Sequence, residues 1–292
     1  MQRNWHNLLL EHAAHRSVQG PALWQWPSIL SLEAPLIAAL WQRLFGAVLG
    51  VPVGWRESLL LGLIVWLIYC GDRLLDAQKW GADAPRTWRH RFYAEHRRGL
   101  TRLWLLVGVV AFGGCLLWLS PLQLLTGTLL GGALLGYFCG RHLGRPEAHP
   151  KELQIAGIFA LGVGFIPLLG GGAPLPLGLM TLLFAALIFL NCGYLALWEG
   201  DIDVEPAPFR ARHPRLERRL PTLALLLLAA CAVGGVLSRA YLPLYAALGG
   251  SALLLALLGS GASRARLGPA ALRVAGDAAL LTPLVALLLL HA

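Results

Sequence analysis

Two clusters of carboxylates at the ends of apolar stretches carry the chemistry that this sequence can do. The first is Asp72-Arg73-Leu74-Leu75-Asp76, where the apolar stretch from Glu57 to Tyr69 runs out. The second is Glu199, Asp201 and Asp203, just past the apolar run 177–197. On a helix Asp72 and Asp76 lie one turn apart and project from one face. That spacing suits a hard divalent cation, and magnesium completes its shell from water and phosphate oxygens. Asn191, about two turns before Glu199, adds a neutral oxygen ligand.

Carboxylates at a membrane face are costly to desolvate, so they signal function by default. If the two clusters converge, they form a site for divalent cations and a phosphorylated ligand. A diphosphate there also needs cationic donors. The sequence offers Arg73, Lys79, Arg89 and Arg91 around the first cluster, Lys151 at the head of a later stretch, and Arg210 and Arg212 after the second cluster. Metal ions and guanidinium groups together stabilise charge that builds on a leaving pyrophosphate. Tyr69, Tyr194 and Trp198 flank the clusters; they either line a site or anchor the chain at the membrane interface. The plain alternatives are an edge ion pair at Asp72-Arg73 and a solvated loop start at Glu199.

The elements that must position these groups are helices in a bilayer. Hydrophobic residues make up 57% of the 292 residues and charged ones 13%, with a mean hydropathy of +0.63. A soluble domain does not read this way. About 20 apolar residues cross a bilayer core. Spans are expected at 29–51, 56–76, 102–119, 121–139, 153–170, 175–197, 220–238, 240–259 and 270–291. Glu33 and Arg43 interrupt the first and Asp277 the last, where it has no evident partner. The fold class expected is therefore all-α and polytopic, with about nine transmembrane helices.

Basic residues set an expected orientation. Only Arg56 and Arg239 fall in connections after odd-numbered spans, which places the N-terminus in the cytoplasm and the C-terminus outside. The net charge of +9 is thus mostly a topology signal, dispersed over several loops, and does not argue for nucleic acid. Residues 1–27 read as a cytoplasmic segment with an interfacial helix around Trp5, Leu8, Leu9 and Leu10, and 28–292 as one transmembrane domain. The five cysteines show no paired spacing and imply neither a disulfide framework nor a zinc site. Glycines at four-residue spacing, such as Gly127/Gly131 and Gly132/Gly136, suit close helix packing.

A weak internal repeat adds to this. The second and the sixth span both end in carboxylates followed by a basic loop, so two four-helix halves plus one helix around a central cavity are expected.

The residues resemble the UbiA superfamily of intramembrane prenyltransferases. That family's first motif reads N-D-x-x-D-x-x-x-D, and Ile68-Tyr69-Cys70-Gly71-Asp72-Arg73-Leu74-Leu75-Asp76 is similar to its D-R-x-x-D half, with Ile68-Tyr69 in place of Asn-Asp. In the second motif Asn191 takes the place of the first Asp, Tyr194 fits the Tyr, and Asp201 and Asp203 fit the later acids; Trp198 falls where the middle Asp stands, with Glu199 beside it. Lys151 resembles the Lys that leads the family's fifth helix, and Thr87-Trp88-Arg89-His90-Arg91 takes the place of its basic loop motif.

The resemblance implies transfer of an isoprenoid chain from a prenyl diphosphate to a hydrophobic, aromatic-type acceptor. It implies Mg2+ held by Asp72, Asp76, Asp201 and Asp203 with Glu199 or Asn191. The phosphates would be gripped by Arg89, Arg91, Lys151 and Arg210. A second class stays open: a binding or scaffold protein of the same fold that has lost turnover. A small transporter would carry its site on broken helices at the membrane midplane, whereas these acids lie at the edge.

Overall fold

A computed structural model describes residues 20–80, 88–142, 151–171, 174–199 and 214–291. All regular elements among them are helical. A 3-10 turn (Leu23–Gln25) leads into α1 (Trp26–Ile29), followed by α2 (Glu33–Leu49), α3 (Trp55–Trp80), α4 (Trp88–Glu95), α5 (Arg97–Trp118) and α6 (Pro121–His142). Then come α7 (Lys151–Leu169), α8 (Pro174–Glu199), α9 (Pro214–Leu237), α10 (Leu242–Leu258), α11 (Gly261–Arg266), α12 (Pro269–Ala278) and α13 (Thr282–His291). Seven helices among the described residues are long and apolar enough to cross a membrane, or eight if the bent pair Leu23–Ile29 and Glu33–Leu49 is one span. The chain is an all-α, multi-pass membrane protein.

Local sequence explains several boundaries. Gly50, at φ 70°, ends α2 in the left-handed conformation that glycine adopts without steric cost. Ser120 and Gln123 cap α6 reciprocally: the Ser120 backbone N–H donates to Gln123 Oε1 at 2.8 Å, and the Gln123 N–H donates to Ser120 Oγ at 3.3 Å. Pro121 follows as the first helical residue, where its missing N–H costs nothing.

Two expected spans differ from the observed helices. The first is not one rod from 29 to 51; the chain bends by 76° between the α1 segment and α2. Ser31 sits at this corner with φ 59°. The last span is divided into α12 and α13 by a 3-10 turn at Ala279–Leu281. Trp41 Nε1 donates to the Leu280 carbonyl in that turn at 2.9 Å and satisfies one acceptor that the break exposes.

The core lies where α2, α7, α8, α10 and the α12–α13 pair meet. Trp41, Phe45 and Phe184 pack together there, tilted at a centroid distance of 4.7 Å for Trp41–Phe184 and edge-on at 5.8 Å for Phe45–Phe184. A smaller cluster of Cys70, Leu74 and Tyr93 joins α3 to α4, with Trp66 and Trp104 packed on it. By contrast Leu105, Leu106, Val109, Val110 and Phe112 on α5 point outward. Such a surface suits lipid and penalises exposure to water.

Candidate functional site

One end of the bundle is polar. The α2–α3 turn meets the end of α7 at the opposite end, where Gly170 packs against Val51. The second half of α3, the second half of α8, the start of α2, α4 and α12 therefore gather together. Four hydrogen bonds tie them: Trp66 Nε1 to the Leu30 carbonyl at 3.1 Å, Ser31 Oγ with Tyr93 Oη at 3.0 Å, Arg273 Nε to Ser28 Oγ at 3.2 Å, and Asn191 Nδ2 to the Gly276 carbonyl at 3.0 Å.

Asp72 and Asp76 do not lie past the end of their helix. The helix continues to Trp80 and holds both carboxylates one turn apart, partly exposed on the same flank. Arg73, about 100° round the helix, turns inward instead. It is buried, with its guanidinium carbon 5.9 Å from the centre of the Tyr93 ring. Arg89 and Arg91 sit on α4 beside this end, partly buried, and Arg91 stacks over the Trp88 ring at 4.9 Å. An edge-on contact of Trp26 with Phe92 at 5.8 Å docks α4 beneath α1.

Tyr194 and Trp198 are core residues and not interfacial anchors. Both are buried, their rings stack at 5.5 Å, and Trp198 packs on Gly276 of α12. Tyr69 is partly buried, and its hydroxyl lies within electrostatic reach of Cys192, Asp277, Arg273 and Arg73. Asn191 is buried and commits its amide nitrogen to Gly276.

The sequence reading missed a further group. Glu33 on α2, Arg73 on α3, and Arg273 and Asp277 on α12 interact electrostatically at this polar end, and Glu33 also bonds Ser28. The available signal was the one that made Glu33 and Asp277 look like interruptions: ionisable residues inside spans face the protein interior and pair. Tyr93 closes the group from α4. Burial pushes its hydroxyl up to about 12, although the Ser31 bond and Arg73 pull the other way.

The side chains of Lys79, Lys151 and Glu199, and the whole of Asp201, Asp203, Arg210 and Arg212, lie outside the described residues. Among the described residues no three His, Cys, Asp or Glu side chains gather as a metal site. The Asp72–Asp76 pair supplies two hard oxygen donors on one face, which fits half of a magnesium site of the kind that substrate phosphates complete.

No protein-family model, no curated protein and no solved structure matches this chain.

Proposed function

We propose that the protein transfers an isoprenoid chain from a prenyl diphosphate to a hydrophobic acceptor, as a UbiA-like intramembrane prenyltransferase. One observation supports this reading: the second halves of α3 and α8 lie at the same end of the bundle, where Tyr69 of α3 is within electrostatic reach of Cys192 of α8 and Asn191 of α8 donates to the Gly276 carbonyl of α12 at 3.0 Å. Asp72 and Asp76 are partly exposed there, one turn apart on α3, with Arg89 and Arg91 on the neighbouring α4.

In the proposed reaction the bond between the allylic carbon and the diphosphate oxygen breaks, and the electron pair leaves with pyrophosphate. The allylic cation is then captured by a nucleophilic atom of the acceptor, which loses a proton. Magnesium bound at Asp72 and Asp76, together with the second motif, would neutralise charge on the departing pyrophosphate. Arg89 and Arg91 bind phosphate oxygens by charge-assisted hydrogen bonds. Tyr69, held among ionised groups at this end, offers a ring face to a cation. The apolar helices exclude water, which would otherwise quench the cation.

A second reading, a binding protein without turnover, is favoured by Ile68-Tyr69 in place of the motif's Asn-Asp and by the structural use of the Asn191 amide. The test uses the full chain in nanodiscs with farnesyl or geranylgeranyl diphosphate and a panel of quinone-precursor acceptors. Magnesium-dependent pyrophosphate release that disappears in Asp72→Ala supports transfer. Tight binding without release across the panel selects the second reading. Absence of binding overturns both.

A further inference from the structure

The end of the bundle opposite the motif residues holds a cation that the protein does not itself neutralise. Arg56 stands in the first turn of α3 next to Trp55, and Trp118 closes α5 across from it. The Arg56 guanidinium carbon lies 5.6 Å from the centre of the Trp55 ring and 5.7 Å from that of Trp118. The two rings meet edge-on at 5.8 Å. Attraction to the negative faces of the indoles keeps the guanidinium in place. Packing below builds this clamp: Leu60 of α3 sits against Gly114 of α5, where an added Cβ would stand 2.8 Å from Leu60 Cδ2. A glycine there lets the two helices approach closely.

The clamp leaves a set of donors unused. Among the described residues no carboxylate bridges Arg56, and the neighbouring Glu57 folds back over Gly54. Trp41, Trp66 and Trp104 each donate the indole N–H to a backbone carbonyl. Trp55 and Trp118 have no such acceptor among the described residues, and both Trp55 and Arg56 are exposed. These tryptophans are also the terminal residues of two apolar helices long enough to cross a membrane, Trp55–Gln78 and Arg97–Trp118. The clamp therefore stands where the hydrocarbon core gives way to head groups. About one turn deeper, Leu59 on α3 and Leu116 and Leu117 on α5 are exposed. An unbalanced positive charge with free donors, set above an apolar surface, complements a head group of net negative charge that carries acyl chains. The guanidinium fork suits bidentate binding of phosphate oxygens.

We propose that Trp55, Arg56 and Trp118 bind an anionic phospholipid of the phosphatidylglycerol class. Its phosphodiester takes the free edge of the Arg56 guanidinium, and its chains lie along Leu59, Leu116 and Leu117. The site is at the far end of α3 from Asp72 and Asp76 and does not depend on the transfer reading. Arg239 supplies a comparison within the same molecule. It is exposed in the 3-10 turn Arg239–Tyr241 that leads into α10. Gly259, just past the other end of α10, packs on Tyr194 at the polar end, so Arg239 shares the end of Arg56. No ring and no carboxylate engages Arg239 among the described residues.

Two measurements on the full chain test this. In the first, the detergent-solubilised protein meets equal amounts of phosphatidylglycerol and phosphatidylcholine, and native mass spectrometry reads the retained lipid. The native chain is expected to hold phosphatidylglycerol about tenfold more tightly, the scale of a charge-assisted hydrogen bond. Arg56→Gln is expected to abolish that preference, Trp118→Leu to reduce it about threefold, and Arg239→Gln to leave it as it was. Equal retention of both lipids by the native chain overturns the proposal. So does a loss in Arg239→Gln as large as that in Arg56→Gln, because net charge alone would then explain the binding. The second measurement needs no change at Arg56. In phosphatidylcholine nanodiscs, phosphatidylglycerol with brominated chains is expected to quench tryptophan emission more than brominated phosphatidylcholine at the same mole fraction, and Trp118→Phe to remove most of the difference. Equal quenching by the two brominated lipids also overturns the site.

Discussion

The hydroxyls of Ser31 and Tyr93 meet at 3.0 Å inside the protein and join the corner before α2 to the short helix α4. Ser31 holds φ 59°, a left-handed conformation that few residues other than glycine adopt. Such a residue persists only where its surroundings over-determine it. Here the Leu30 carbonyl, the Ser31 hydroxyl and the Ser28 hydroxyl each have a partner on a different element.

Tyr93→Phe should lower stability by about 1 kcal/mol, because it leaves the buried Ser31 hydroxyl without its partner. Burial of the same hydroxyl gives a pH signature. The unfolded tyrosine loses its proton near 10.0, whereas burial holds the folded one up to about 12. Its contribution is therefore intact below 10.0 and is lost as pH climbs towards about 12. Thermal unfolding scanned across alkaline pH should show this decline in the native chain and less of it in Tyr93→Phe.

Gly276→Ala should destabilise the protein by about 1–3 kcal/mol, the usual cost of overfilling a packed site. A Cβ there would stand 2.8 Å from Trp198 Cζ3 and 3.3 Å from Leu195 Cδ2, and the buried indole has no flexible end to withdraw. Trp198→Phe in the same chain should recover part of the loss. Denaturation midpoints of the single and double variants decide it.

Asp76→Asn should cut pyrophosphate release about a hundredfold, as expected for removing a charge that stabilises the departing group. Excess magnesium should restore part of it, since Asp72 remains on the same face. A rate that stays native at limiting magnesium counts against any part for Asp76.

Gln42→Leu should raise stability by about 1 kcal/mol or more. Gln42 is fully buried, and neither of its amide atoms has a hydrogen-bond partner among the described residues. Replacing it with an apolar side chain of similar length removes that penalty. A drop in the melting point instead would reveal a trapped water on the amide.

The helices were legible in the sequence because each apolar stretch is long and closed by polar, Gly or Pro residues. The pairing of Asp72 with Asp76 was equally legible, since both belong to one helix. The partners of Asp277 were not. Contacts such as Arg273–Ser28, 245 positions apart, depend on how helices from the two ends of the chain pack, which no local pattern encodes. The inward turn of Arg73 has the same origin: only the docking of α4 brings Tyr93 beneath it. The break at Ala279–Leu281 escaped because its residues are as apolar as their neighbours.

The 76° corner also governs how this molecule resists a pull. Tension on the amino-terminal segment acts across the axis of α2, so it cannot unwind that helix turn by turn. It must instead shear the tethers at Ser28, Leu30 and Ser31, each on a separate element. The leading segment can therefore peel away like a hinged strap while the rod behind it stays wound.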